Sequence, residues 1–189
     1  MYGDASINLS DAISAGDIGG DLTLVTEADQ TISDEITLNG SGAALSITAE
    51  EGAILTVQAA LTTNAGAMTL TADDDVIFTA AGDLSSTNGN IIVAADYDLT
   101  SDTLSGGALT MVDGTVFNVG SGTITASADV DITIGQMTTT SSSTSAIKLS
   151  SVSGDIQDGD TNGSNDLTAS NGTVYVADAE LFDLSTNCY

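Results

Sequence analysis

The chain has 189 residues, with 27 acids against a single base (Lys148), no His, Pro or Trp, and a net charge of −26. Such a chain cannot displace counterions from phosphates, which excludes nucleic acid as a partner, and the same reasoning excludes anionic membrane surfaces. At 41% hydrophobic and 15% charged it is no solvated disordered tail; its small and β-branched residues favour strands and tight turns.

Taken from the amino end, Met1-Tyr2-Gly3-Asp4 lacks the basic and apolar regions of a signal peptide, so a mature form or a segment of a longer chain is expected. No run approaches the ~18 apolar residues of a membrane helix. Residues 1–20 alternate polar and apolar as a first coil would, with Ile7, Leu9, Ile13 and Ile18 expected to face inward.

From Leu22 a motif recurs. G-A-M-T-L-T-A-D-D-D-V at 66–76 has close copies 23 and 46 residues earlier, led by Leu45 and Leu22, and another 23 residues later, led by Ile91. Weaker copies begin at Ile7, Leu109, Ile124, Ile147 and Val174, so coil starts are expected near 7, 22, 45, 68, 91, 109, 124, 147 and 174. A sustained period of about 20 residues marks a solenoid, in which no coil buries its apolar side alone. In the clearest coils a second apolar cluster follows, at 31–32, 54–57 and 76–78, and a third mark falls at Leu38, Leu61 and Leu84. The reading is an all-β, right-handed parallel β-helix: one domain over 1–189 with three short strands per coil of about 23 residues. Asn-Gly pairs at 39–40, 88–89, 162–163 and 171–172 suit hairpins of a sandwich, but hairpins explain the uniform 23-residue step poorly.

The column between the two lead apolar residues reads Thr23, Ser46, Thr69, Ile92, Thr110, Thr125, Lys148, Tyr175. Its interruptions by Ile92, Lys148 and Tyr175 argue against a flat ice-binding lattice. After Gly106 the coils shorten; the Thr/Ser tract 137–146 reads as a turn or protruding loop, and 154–166 as an inserted loop. The last strands are expected over 173–177 and 180–184. Cys188 has no internal partner and suits an interchain link or an apolar plug at the rod's end.

G-D-L-T-L-V-T-E-A, G-A-M-T-L-T-A-D-D-D-V and A-D-V-D-I-T-I-G resemble coils of filamentous-haemagglutinin-like and other β-strand-repeat bacterial surface proteins. That resemblance implies a right-handed β-helix in an exported adhesin or exoprotein. The secretion domain of two-partner exoproteins has no counterpart here, since its Asn-Pro motifs need proline.

Five places after the lead residue stand Glu27, Glu50, Asp73, Asp96 and Asp129; seven places after it stand Asp29, Asp75, Asp98 and Asp131, with Gly52 the exception and Glu51 alongside. Stacked coils would set these acids in two columns, and carboxylates ~5 Å apart repel by about 0.8 kcal/mol even in bulk water. Ca²⁺, which takes 6–8 oxygens, is the cofactor that would offset the repulsion. The plainer reading has the acids capping turns through backbone N–H groups, screened by salt. A second calcium candidate is D-G-D-T-N-G-S-N-D, with Asp158, Asp160, Asn162 and Asp166 at calcium-loop positions, although position 12 is Ala169.

Catalysis finds little support without His, Arg or a second base. A glycan-active β-helix enzyme using Asp73, Asp74 and Asp75 is the weakest alternative. The expected function is a non-enzymatic structural or adhesive rod outside a prokaryotic cell. Its expected partners are copies of itself or adjoining coils, a glycan, or a surface protein. The alternative is a subunit stacked end to end into a filament or lattice, because terminal coils expose strand edges.

Overall fold

In this computed structural model the described residues are 2–3, 19–96, 106–159, 163 and 165–177. Alternation of apolar and hydroxyl side chains turns each short segment into a strand with one face inward, while Gly, Asn and Asp break it after three to five residues. In chain order the strands are β1 (Tyr2–Gly3), β2 (Leu22–Thr26), β3 (Gln30–Ile32), β4 (Ile36–Leu38), β5 (Leu45–Ala49), β6 (Leu55–Val57) and β7 (Leu61–Thr63). They continue as β8 (Met68–Ala72), β9 (Val76–Phe78), β10 (Leu84–Ser86), β11 (Ile91–Ala95), β12 (Leu109–Met111) and β13 (Val116–Asn118). The rest are β14 (Ile124–Ala128), β15 (Ile132–Ile134), β16 (Gln136–Thr139), β17 (Ile147–Ser151), β18 (Ile156–Asp158), β19 (Leu167–Ala169) and β20 (Val174–Ala177).

These strands build three parallel sheets of eight, six and six strands, each strand bonded to the matching strand one coil on. The chain is a β-solenoid of about six turns. The first face carries the lead strands, and the second and third faces the shorter ones. Leu22, Leu45, Met68, Ile91, Ile124, Ile147 and Val174 pile in one inward column. Leu55, Val76, Leu109, Ile132 and Ile156 form the corresponding column of the second face. Ring packing appears between coils as well, Phe78 meeting Phe117 edge-on at 4.8 Å. Small residues (Ala49, Ala72, Ala95, Ala128) end the lead strands where the chain turns into the first corner.

Three sequence expectations are corrected. Leu109 opens no coil: it pairs with Val76 and Ile132 on the second face. The coil starting at Ile91 therefore runs 33 residues to Ile124, and Thr110 leaves the first-face column to stack with Ile77 and Thr133. At the amino end, Tyr2 pairs with Val25, a separation of 23 that does not match a coil start at 7; Ile7 itself lies outside the described residues. The tract 137–146 does not protrude, because Met137 and Thr139 are buried within β16 and Ser141 is buried just beyond. A relay then continues the tract, with Ser141 N donating to Thr139 Oγ1 (2.9 Å), Ser143 N to Ser141 Oγ (3.3 Å) and Ser145 N to Ser143 Oγ (3.1 Å). The expected strand at 180–184 and Cys188 lie outside the described residues.

All the Asn-Gly pairs within the described residues sit at the third corner, between the third face and the next lead strand, and no hairpin follows them. Close approach explains the glycines. A Cβ on Gly66 would collide with Ala43 O, one on Gly89 with Gly66 O, and one on Gly122 with Gly89 O. Inward hydroxyls hold the same corner: Thr63 Oγ1 donates to Gly66 O (2.6 Å), Ser86 Oγ donates to Gly66 O (3.1 Å) and accepts from Gly89 N (2.9 Å). Gly89→Ala should therefore lower stability by about 2–3 kcal/mol, or roughly 4–12 °C in Tm. Gly20→Ala, where nothing lies within 4 Å, should leave Tm unchanged; thermal circular dichroism of both variants checks this.

Candidate functional site

Every acid of the two expected columns that falls within the described residues stands at the first corner, between the first and second faces. The corner is three residues long at 27–29, 73–75 and 129–131, so the seventh-place acid directly precedes the second-face strand. At 50–54 the corner is two residues longer, and Ile54 takes that place instead. This is why Gly52 breaks the pattern; the added residues turn through positive φ at Glu51 (60°) and Gly52 (73°).

The pre-strand acids share one task. Asp29 Oδ1 accepts from Ile54 N (3.0 Å), Asp75 Oδ1 from Ala108 N (2.8 Å) and Asp131 Oδ1 from Asp155 N (2.9 Å). In each case the donor is the residue preceding the matching strand one coil on. The same device recurs outside the two acid columns: Asp21 with Ala44 N (2.8 Å), Asp83 with Val116 N (2.8 Å) and Asn90 with Thr123 N (2.9 Å). The signal that could have found Asp21 and Asn90 is an Asp or Asn immediately before an apolar-x-apolar strand; Asp83 precedes Leu-Ser-Ser and lacks it.

The fifth-place acids are less uniform. Asp73 Oδ2 reaches back to the preceding coil and accepts from Gly52 N (2.6 Å). Glu50 turns the corner through its carbonyl, which accepts from Ala53 N (3.2 Å). Asp96 is buried at φ 50°, with its N–H donated to Asp74 O (3.2 Å). Asp129 accepts Ser153 N (2.7 Å) and Ser153 Oγ (2.8 Å) at its carbonyl. Its carboxylate lies against Gly106, where a Cβ would collide with Oδ2. Glu27 opens the corner of its own coil, half-buried.

Asp158 ends β18 half-buried, and Asp166 precedes β19, whose pairing begins with Met137 N donating to Asp166 O (2.6 Å). Asp160, Asn162 and Asp98 lie outside the described residues. Among the described residues, no group of three or more His, Cys, Asp or Glu is placed to hold a metal ion. Of these acids, Asp29, Asp73, Asp75 and Asp131 accept a backbone N–H of an adjacent coil at their carboxylates.

Electrostatics are sharpest at Asp74. Burial first, then the charges of Asp75, Asp29 and Asp73, push its carboxyl above the ordinary carboxylate range. More widely, the charge is segregated. The described acids cluster at the first corner and, through Asp34, Glu35, Asp83, Asp113, Asp158 and Asp166, at the second. At the third corner only Asp21 is acidic among the described residues; the turns 39–44, 64–67, 87–90, 119–123, 140–146 and 170–173 carry no charge.

Compared with protein-family models, curated proteins and solved structures, the chain matches none. The fold is compatible with a β-helix repeat protein.

Two variants test this corner. Asp75→Ala removes the acceptor for Ala108 N and should cost about 1–2 kcal/mol, whereas Asp75→Asn keeps an Oδ1 acceptor and should retain most of the stability; urea unfolding compares them. For Asp74 the folded carboxyl binds its proton more tightly than the unfolded one. The penalty for its charge is therefore fully present above the raised folded value and is relieved as pH falls through it. Asp74→Asn should raise Tm by about 1–3 °C at pH 7. The gain should shrink as pH drops into the carboxylate range, as a pH series of melting curves would show.

Proposed function

We propose that this chain is a non-enzymatic structural or adhesive rod, working outside a prokaryotic cell. The observation that carries this reading is the use made of its acids: Asp29, Asp75 and Asp131 each accept a backbone N–H from the next coil. Carboxylates held that way reinforce stacking, and they differ from a general acid and base facing a shared substrate. The residue inventory agrees, since no His and a single base leave little to stabilise an anionic transition state. Most outward positions of the described strands carry hydroxyls, amides and small apolar groups, with Ile77, Ile92, Lys148 and Tyr175 among the exceptions, a surface suited to neutral glycans or protein. An extracellular setting and the adhesin class follow from the coil motif's resemblance to bacterial surface proteins.

The test is incubation of the purified chain with dextran and polygalacturonate, followed by reducing-end measurement. The expected outcome is no new reducing ends. Reducing ends that vanish in Asp73→Asn or Asp75→Asn would overturn the non-enzymatic reading.

A further inference from the structure

The first face carries two outward columns, and in three of its strands, β11, β17 and β20, they differ in bulk. Ile92, Lys148 and Tyr175 stand in the column nearer the uncharged third corner. Two residues on, in the column nearer the acidic corner, stand Ala94, Ser150 and Ala177. Ile92 and Tyr175 are 41% and 49% exposed, and Lys148 is the only base in the chain.

We propose that this face pairs with the same face of a second copy, side by side, about a two-fold axis parallel to the rod. With the axis running above the inward column between the two outward ones, every row meets its own row and the columns exchange. Ile92 then packs on the partner's Ala94, Tyr175 on the partner's Ala177, and Lys148 on the partner's Ser150. Bulk meets hollow in these three rows, as an isologous contact requires, while the rows Thr23/Val25, Ser46/Thr48, Thr69/Thr71 and Thr125/Ser127 bring together side chains of similar size. Charge agrees with shape. The exchange sets the acidic first corner of each copy against the neutral third corner of the other, with Lys148 beside the partner's acids. A two-fold along the strands would instead put acidic corner on acidic corner and leave Ile92 and Tyr175 without hollows in their own rows.

The second copy is the occupant that the fit of these rows and the place of Lys148 favour. At −26, two copies repel through their acidic corners, and this face is the approach that brings their one cation to acid. Seven lead strands at ~4.8 Å spacing and five residues of ~3.3 Å each give about 500–600 Å² per partner. That area lies at the small end for specific interfaces and implies a weak, concentration-dependent dimer. The pairing goes beyond the rod reading and is separable from it, because a monomeric rod would still be a rod.

Sedimentation velocity of the whole chain in 0.15 M NaCl, from about 10 μM to 1 mM, should show a reversible monomer–dimer equilibrium. Ala94→Ile, which fills the hollow opposite Ile92, should weaken it at least tenfold. The swap Ile92→Ala with Ala94→Ile, which restores bulk against hollow, should recover it. Lys148→Glu should weaken it, and Val112→Ser, which removes an exposed apolar group elsewhere, should leave it unchanged. Register is tested without relying on those variants: in a Cys188→Ser background, a mixture of Thr125→Cys and Ser127→Cys chains should cross-link more than either alone. A monomer throughout, fibres without a discrete dimer, or a dimer indifferent to Ala94→Ile would overturn the proposal.

Discussion

Parallel, in-register bonding between successive coils is the constraint on which the rest of the molecule depends. It gives every side chain its own counterpart as nearest neighbour, ~4.8 Å above and below. Apolar groups tolerate that arrangement and fill the axis. Hydroxyls tolerate it too, as in Thr71 Oγ1 donating to Thr48 Oγ1 at 3.1 Å. Glycines use it, Gly66, Gly89 and Gly122 each leaving room for a carbonyl of the coil before. Carboxylates do not tolerate it, and the outward positions of the described strands hold none. Apart from Asp158 at the end of β18, the described acids occur where the chain turns, and there a backbone N–H of the neighbouring coil lies between one pre-strand carboxylate and the next.

The constancy of the 23-residue return over the first three described coils hides a varied path. In the coil from Leu22 the extra residues lie at the third corner (39–44); in the next they lie at the first (50–54), and in the third at the second (79–83). Each widened corner closes on its own carbonyl: Gly40 O from Ala43 N (3.0 Å), Glu50 O from Ala53 N (3.2 Å) and Thr79 O from Gly82 N (2.8 Å). Ile36 therefore pairs with Leu61 at a separation of 25, while Leu22 pairs with Leu45 at 23. What stacking demands is strand over strand. The number of residues between strands is free so long as strand lands on strand, and β12 accordingly pairs with β9 at a separation of 33 (Leu109 with Val76).

This distinction explains what could be read from sequence. The inward column led by Leu22, Leu45, Met68 and Ile91 was legible because five-residue strands with a small residue at the end recur at one spacing. Leu109 was misread because an apolar-x-apolar triplet looks alike on any face. Only the acceptor Asp75, 33 residues before Ala108, marks Leu109 as a second-face strand. Tract 137–146 was misread for a related reason: Thr139 is polar by composition yet buried, since its Oγ1 donates to Gly122 O (2.5 Å) and Gly120 O (3.1 Å). The acid columns were visible, but their partners were not, because those partners are backbone groups that every sequence possesses.

The same turns that accept acids determine how the rod presents itself to other molecules. A lead strand of five residues separates the first corner from the third by ~17 Å. That exceeds the ~8 Å screening length at physiological ionic strength and falls short of the ~30 Å reached near 0.01 M. In dilute salt the field of the acids covers the whole surface, and the molecule behaves as a uniformly anionic rod. In physiological or saltier water the third corner and the face beside it emerge from that field as a neutral strip of Ser, Thr, Asn and Gly, while the acidic corners continue to oppose indiscriminate clumping. Ionic strength therefore changes which side of this molecule is approachable without changing its fold. Acids placed to satisfy backbone donors thus also give the rod its sidedness.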